Sequence, residues 1–415
     1  MTLTSGGTEV RVDPAEVGVD ADRLRRIDRH LARYVDDGRL AGWQVLVTRR
    51  GQVVHSSMYG DRDREAGLPV EPDTLWRVYS MTKPVTAVVA MQLFEEGAFS
   101  LNDELARHLP EFADLRVLVG GNADQPKTVP ATQPIRVWHL LSHTSGLSYG
   151  FTRSSVVDEL YLRAGADPLA NPHDDLATMC ARWASLPLVF EPGSAWNYSV
   201  ASDVLGRLVE VLTRQPLDAV FTERVLRPLG MSDTRWHVEA ADAARLAALY
   251  QPDPAGGPAL RHDALGQGAL APSGMLSGGG GLVSTAADYA RFTGMLVRGG
   301  ELDGVRLLGP RTLAFMTRNH LPGGRTLSEL GRGSFAETAY DGMGYGLGFG
   351  VVVDPVEYKV PTNPGEHTWG GLASTAFWVD PAEQLTAHFY TQLVPSSTYP
   401  IRTELRQLVY AALVD

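Results

Sequence analysis

The segment that most limits how this chain can fold is an apolar run, residues 85–94, entered through Ser80-Met81-Thr82-Lys83-Pro84. Proline is accepted in the first turn of a helix and not in its interior, so Pro84 fixes a helix start close to Ser80. The helix then runs through Ala87, Val88, Met91 and Leu93 to Gly97, broken only by Thr86 and Gln92. Apolar nearly all round, it must be enclosed by other elements. The run is too short to span a bilayer, so the enclosure is protein. Ser80 and Lys83, three apart, share one side of the first turn, at a helix end whose free N–H groups favour negative charge.

Enclosure needs a large core. With 415 residues, 44% of them hydrophobic and 20% charged, the chain reads as an ordinary globular protein. It is long enough for two lobes, because single cores stop growing near roughly 250–300 residues. The net charge of -11 argues against a non-specific nucleic-acid or anionic-membrane partner. Residues 1–13 carry no basic segment followed by an apolar run, and the one cysteine, Cys180, allows no intramolecular disulfide. The expectation is a cytoplasmic protein. Cys180 shares helical spacing with Leu176, Met179 and Trp183 and reads as a core thiol.

Periodicity places an amphipathic helix over residues 20–37 and strands over 43–48 and 52–59, joined by a turn at Arg49-Arg50-Gly51. Further helices are expected over 137–142, 156–163, 175–186, 202–213 and 217–226, separated by long loops at 120–134 and 253–281. After a helix over 286–296, strand patterns return at 346–353, 374–379 and 385–392, and a last helix starts at Ile401. Strands at both ends with helices between them predict an α/β (α+β) architecture. One lobe is built from residues 1–84 and 286–415, and residues 85–285 form an inserted, mainly helical lobe. Ser80 falls where the chain crosses between them, a favoured place for a cleft.

Other chemistry-bearing patterns are weaker. Ser148 in Gly146-Leu147-Ser148-Tyr149-Gly150 matches G-x-S-x-G, but that elbow works only between a strand and a helix, whereas the segment before Ser148 is helical. His139 and His143 lie four apart without the glutamate or third ligand of a zinc site. The run Ser277-Gly278-Gly279-Gly280-Gly281 lacks the lysine of a phosphate loop and reads as a turn. Tyr198, taken alone, reads as core.

Taken together and in order, four segments change that reading. They are Ser80-Met81-Thr82-Lys83, Leu140-Leu141-Ser142-His143-Thr144-Ser145-Gly146-Leu147, Pro192-Gly193-Ser194-Ala195-Trp196-Asn197-Tyr198-Ser199 and Gly281-Leu282-Val283-Ser284-Thr285-Ala286-Ala287-Asp288. With Trp369-Gly370-Gly371 they span most of the chain, which resembles the serine β-lactamase and penicillin-binding superfamily. Within it the class C β-lactamase-like branch is nearest, and family VIII carboxylesterases and related transesterases nearest of all. The resemblance implies a β-lactamase-like fold, an antiparallel sheet flanked by helices, and no metal or organic cofactor.

By the same resemblance Ser80 is the nucleophile, Lys83 its proton-handling neighbour and Tyr198 the tyrosine of the second motif, the last two sharing the serine proton. The backbone N–H groups of Ser80 and Leu372 form the oxyanion hole, where losing one donor costs about 3–4 kcal/mol. Trp369, Gly370 and Gly371 stand where lactamases carry Lys-Thr-Gly, and Val200 stands where they carry asparagine. Both changes replace polar recognition by apolar surface and favour a neutral ester over a carboxylated lactam. Tyr149, Phe151, Trp196, Val200 and the Trp369 segment are the expected substrate-binding residues. The expected partner is a small-molecule ester, with no nucleic acid and no membrane. A β-lactamase or peptide-cleaving hydrolase, an acyl transferase and a non-catalytic binding homologue are the alternatives.

Overall fold

The computed structural model describes residues 8–168, 173–332 and 338–415. Its centre is an eight-stranded sheet, antiparallel throughout. From one edge the strands run Met343–Tyr345, Gly350–Val352, His367–Gly370, Ala376–Asp380, Leu385–Tyr390, Gly42–Arg49, Gln52–Asp63 and Leu68–Pro69. The two ends of the sequence therefore meet at the middle of the sheet, where Gln44 faces Tyr390 and Thr48 faces Thr386.

All eight residues of Gly42–Arg49 are buried. Strand geometry sends successive side chains to opposite faces, so a wholly buried strand needs a layer on each side. On one face Val45 and Val47 pack with Leu24, Ile27, Leu405 and Val409 of the helices Ala21–Asp36 and Ile401–Tyr410. On the other, Leu46 meets Ala290 of the helix Ala286–Val297, whose Thr293 also bonds His388 at 2.7 Å. A fully buried ion pair, Arg406 Nε to Glu366 Oε1 at 2.9 Å, ties the last helix to the sheet.

The apolar run forms the helix Thr82–Glu95, with every residue from Thr82 to Leu93 buried. A 3-10 turn, Tyr79–Met81, precedes it and carries Ser80, so the α-helix proper starts two residues later than Pro84 alone suggests. Around it pack helices of the middle of the chain, chiefly Ala201–Thr213 and Leu217–Phe221, and Val137–Leu141 packs against the first of these.

Three expectations need correction. Residues 120–134 are no irregular loop: Arg116–Gly121 and Pro126–Pro130 form an exposed hairpin. The Asn122 side chain closes its turn by accepting from the N–H groups of Asp124 and Gln125, a local bond that competes with the loop-forming bias of the glycines and prolines. Residues 346–353 are not one strand but the turn and second arm of a hairpin, Met343–Tyr345 with Gly350–Val352. Gly348, at φ 95°, makes that turn directly against Ala87 of the buried helix. Residues 253–281 are not wholly irregular: the strand Leu260–Arg261 pairs with Tyr250–Gln251, the helix Asp263–Gly266 follows, and the segment walls a cavity. Among the described residues no helix is long and apolar enough to cross a membrane.

Candidate active site

The turn carrying Ser80 is held from both sides. Trp76–Arg77 pairs with Val283–Ser284, Val78 N donates to Leu282 O at 3.1 Å, and Tyr289 Oη donates to Met81 O at 2.8 Å. Between these anchors Tyr79 adopts φ 43°, a conformation costing a non-glycine residue on the order of 1 kcal/mol and kept only where the surroundings impose it. The result is a serine hydroxyl at the helix start, facing a cavity of about 280 Å3.

Two side chains reach that hydroxyl, and a third, Tyr149, holds one of them. Tyr198 Oη lies 2.6 Å from Ser80 Oγ. Lys83 Nζ donates to Ser80 Oγ at 3.2 Å, to Tyr149 Oη at 3.1 Å and to the Gly279 carbonyl at 2.6 Å. Three acceptors match the three donors of an ammonium group. The same nitrogen sits 4.5 Å from the centre of the Tyr198 ring, where its charge is attracted by the ring face. Burial, and then the negative charge of Asp203, holds the Tyr149 phenol well above its ordinary value, so it stays neutral.

Tyr198 is aimed by its neighbours. Asn197 anchors the backbone beside it, its amide donating to Leu147 O at 3.0 Å and Ser148 Oγ at 3.1 Å. The phenol ring is boxed by His143, Tyr149 and Trp369, with ring centres 5.2, 5.3 and 5.4 Å away. Trp369 Nε1 donates to Tyr198 Oη at 3.4 Å. Burial first, and then the Lys83 charge, pushes the His143 imidazole well below its usual value, so this neighbour is neutral too.

The strand His367–Gly370 brings Gly371 and Leu372 against the turn that carries Ser80. Any side chain on Gly371 would collide with the Val78 carbonyl and Thr375 Oγ1, so only glycine permits this approach. Leu372 N makes no hydrogen bond among the described residues, and both Leu372 and Ser80 line the cavity.

Of the expected substrate-binding residues, Tyr149 and Phe151 line the cavity. Trp196, Val200, Trp369, Gly370 and Gly371 do not. Trp196, Val200 and Trp369 are buried behind Tyr198, and Gly370 is pressed against the Arg402 guanidinium. The remaining wall comes from Trp236, Leu265, Met275 and the glycine run, with Arg77 and Asp203 as its charged members. Arg77 spends its donors on Ala247 O at 2.6 Å, on Gln392 Oε1 at 3.3 Å and on Gly266 O. Sequence reading missed Asp203. Its one signal is an acidic residue on the inward face of a helix, five positions after Tyr198.

Ser148 is occupied elsewhere: its hydroxyl donates to Asp158 at 2.6 Å, and Asp158 also holds Thr152, Ser154 and Ser155. His139 and His143 do not converge. His139 Nδ1 accepts from Arg136 N at 2.9 Å, while His143 Nδ1 meets Ser199 Oγ at 3.2 Å.

The fold and this constellation define a class: the chain belongs to the β-lactamase family, whose model matches residues 27–411. Among its relatives, Protein Rv1367c of Mycobacterium tuberculosis is 38% identical, over 87% of this chain and 88% of its own. Esterase EstB of Burkholderia gladioli is 33% identical, over 97% of this chain and the full length of the relative. A solved structure, EstCE1, described as a hydrolase with promiscuous acyltransferase activity, superposes with a TM-score of 0.77 at 29% identity. That match covers 94% of this chain and 99% of the other.

Proposed function

We propose that this protein is a serine carboxylesterase that cleaves neutral esters through an acyl-enzyme on Ser80. One observation carries the reading: Ser80 Oγ lies within 2.6 Å of Tyr198 Oη and 3.2 Å of Lys83 Nζ, at the mouth of a mainly apolar cavity. Ser80 Oγ attacks the ester carbonyl carbon while its proton passes to Tyr198 Oη. The Lys83 ammonium stabilises the phenolate form of Tyr198 that accepts it. The carbonyl oxygen, now negative, takes hydrogen bonds from the N–H groups of Ser80 and Leu372. Collapse expels the alcohol, which takes its proton back from Tyr198, and a water molecule repeats the sequence to free the acid.

The preference for an ester is supported by what lies near Ser80. Phe151, Trp236, Leu265 and Met275 give the cavity apolar walls, and Trp369, which stands where the resemblance places a lysine, is buried behind Tyr198 and supplies no cation. Turnover of short-chain nitrophenyl esters should exceed that of a chromogenic cephalosporin by at least about a hundredfold in kcat/KM. Ser80→Ala should abolish it and Ser148→Ala should leave it in place. Faster cephalosporin turnover would instead make the protein a lactamase.

A second reading, acyl transfer to an alcohol, is favoured by the described activity of EstCE1 and by relatives named as acyltransferases, including calJ of Penicillium decumbens. Adding a small alcohol during ester turnover separates the two. A new ester product at the expense of free acid marks transfer.

A further inference from the structure

Asp203 reaches the Ser80 site from below and has no place in the mechanism above. It sits in the first turn of Ala201–Thr213, wholly buried, at the cavity wall. Its Oδ1 accepts from Ser277 Oγ at 2.5 Å and from Gly279 N at 3.0 Å. Its Oδ2 is buried without a hydrogen-bond partner among the described residues. A methyl group built on Gly279 would come 2.5 Å from that oxygen and 3.0 Å from Tyr149 Oη, so the three are packed together. The Gly279 carbonyl is also the nearest acceptor of Lys83, at 2.6 Å. One glycine is thus gripped at its N–H by a carboxylate and at its C=O by an ammonium. A carboxylate in this place is costly unless a cation offsets it. Burial pushes the Asp203 carboxyl upward, and the Lys83 charge is the largest influence acting the other way.

We propose that ionised Asp203 is a positioning residue for acyl transfer: it holds Gly279 beneath Lys83 and supplies the negative charge that keeps Lys83 protonated while Tyr198 takes the serine proton. The inference rests on the assignment of Ser80 as nucleophile. The titratable groups facing Asp203 are Lys83 from the helix Thr82–Glu95, Tyr149 from the loop beside it, and Cys180 from Leu176–Ala184, with Tyr198 beyond Tyr149 at a ring-centre distance of 5.3 Å. Asp167 adds a like charge near Tyr149. A buried negative charge makes every one of these groups hold its proton to higher pH. Its removal must therefore move the whole activity profile down the pH scale. A side chain that only latched the glycine run would lower the rate without moving the profile.

Two variants separate these roles. Asp203→Asn keeps an oxygen for Ser277 and Gly279 but removes the charge, whereas Ser277→Ala removes the latch and keeps the charge. With a nitrophenyl ester as substrate, Asp203→Asn should lower kcat about tenfold or more, change KM by less than about twofold, and shift both limbs of the kcat/KM profile to lower pH. Ser277→Ala should leave the limbs in place and retain most of the rate. An Asp203→Asn profile at the wild-type pH, or a Ser277→Ala loss as large as that of Asp203→Asn, overturns the proposal. Should Asp203→Asn melt below the assay temperature, Ser277→Ala decides alone, and a tenfold loss there is fatal. Ser80→Ala runs alongside: residual turnover in it defeats the nucleophile assignment. An inert Ser80→Ala beside an unaffected Asp203→Asn defeats only this inference.

Discussion

Tyr198 is the side chain whose loss should be most telling, because its oxygen touches Ser80 Oγ and its ring packs against His143, Tyr149 and Trp369. Tyr198→Phe keeps the ring among His143, Tyr149 and Trp369 and removes only the oxygen 2.6 Å from Ser80. Fold and melting temperature should be close to those of the parent, while kcat should fall by roughly 10²–10⁴, the usual contribution of a proton-transferring group. Stopped-flow acylation beside a thermal melt checks both halves. A Phe variant with near-parental kcat would return the proton-accepting role to Lys83. Ser80 and Lys83 were legible as neighbours because they lie three apart in one turn. Asp203 was not, because its importance depends on residues 277–279 folding back onto its helix, a contact 76 positions away for Gly279 that no local pattern encodes.

Elements were legible where one period dominates. The wholly apolar Thr82–Glu95 helix could be read from its start signal and composition, because burial on all sides leaves no ambiguity of face. The Arg116–Gly121 hairpin could not, since glycine and proline mark loops and tight hairpin arms alike, and the side-chain bond of Asn122 decided the outcome. Helix and sheet meet most tightly at Gly348, where the turn of one hairpin lies on Ala87. Gly348→Ala should therefore destabilise the protein by about 1–3 kcal/mol, combining an unfavourable positive φ with overpacking. Chemical denaturation checks this. A variant as stable as the parent would mean that the hairpin can slide off the helix at no cost.

For the molecule as a whole, buried histidines set the response to acid. His367 and His388 are each held down to about 4, chiefly by burial. For His388 the tautomer follows from its partners. Leu46 O can only accept, so Nδ1 donates to it, and Nε2 then accepts from Thr293 Oγ1 at 2.7 Å. The folded-state value lies below the unfolded one near ~6.5, so the unfolded chain binds the extra protons between these limits. Stability is fully present above pH ~6.5 and is lost as pH falls toward about 4, with each such histidine contributing on the order of 3 kcal/mol. Asp288, pushed up to about 6 by burial, works in the opposite direction, as does Asp203, which burial also raises. The melting temperature should drop between pH 7 and pH 5, and His388→Gln should flatten that slope. An unchanged slope in His388→Gln would show that acid sensitivity arises elsewhere.

The pairing at the middle of the sheet has a consequence in time. Thr48 and Thr386, 338 positions apart in the chain, bond to each other, and the same closure brings Ser80 and Leu372 to one cavity. During synthesis Ser80, Lys83 and Tyr198 leave the ribosome long before the strand that completes their surroundings. Contacts of such long sequence separation form late, after a large loop-closure entropy has been met. A nascent chain halted before residue 372 would lack the second oxyanion donor that the proposed mechanism requires, so the charge formed on the carbonyl oxygen would go unstabilised there. Competence would then arrive in a single late step, as the last strands of the sheet dock.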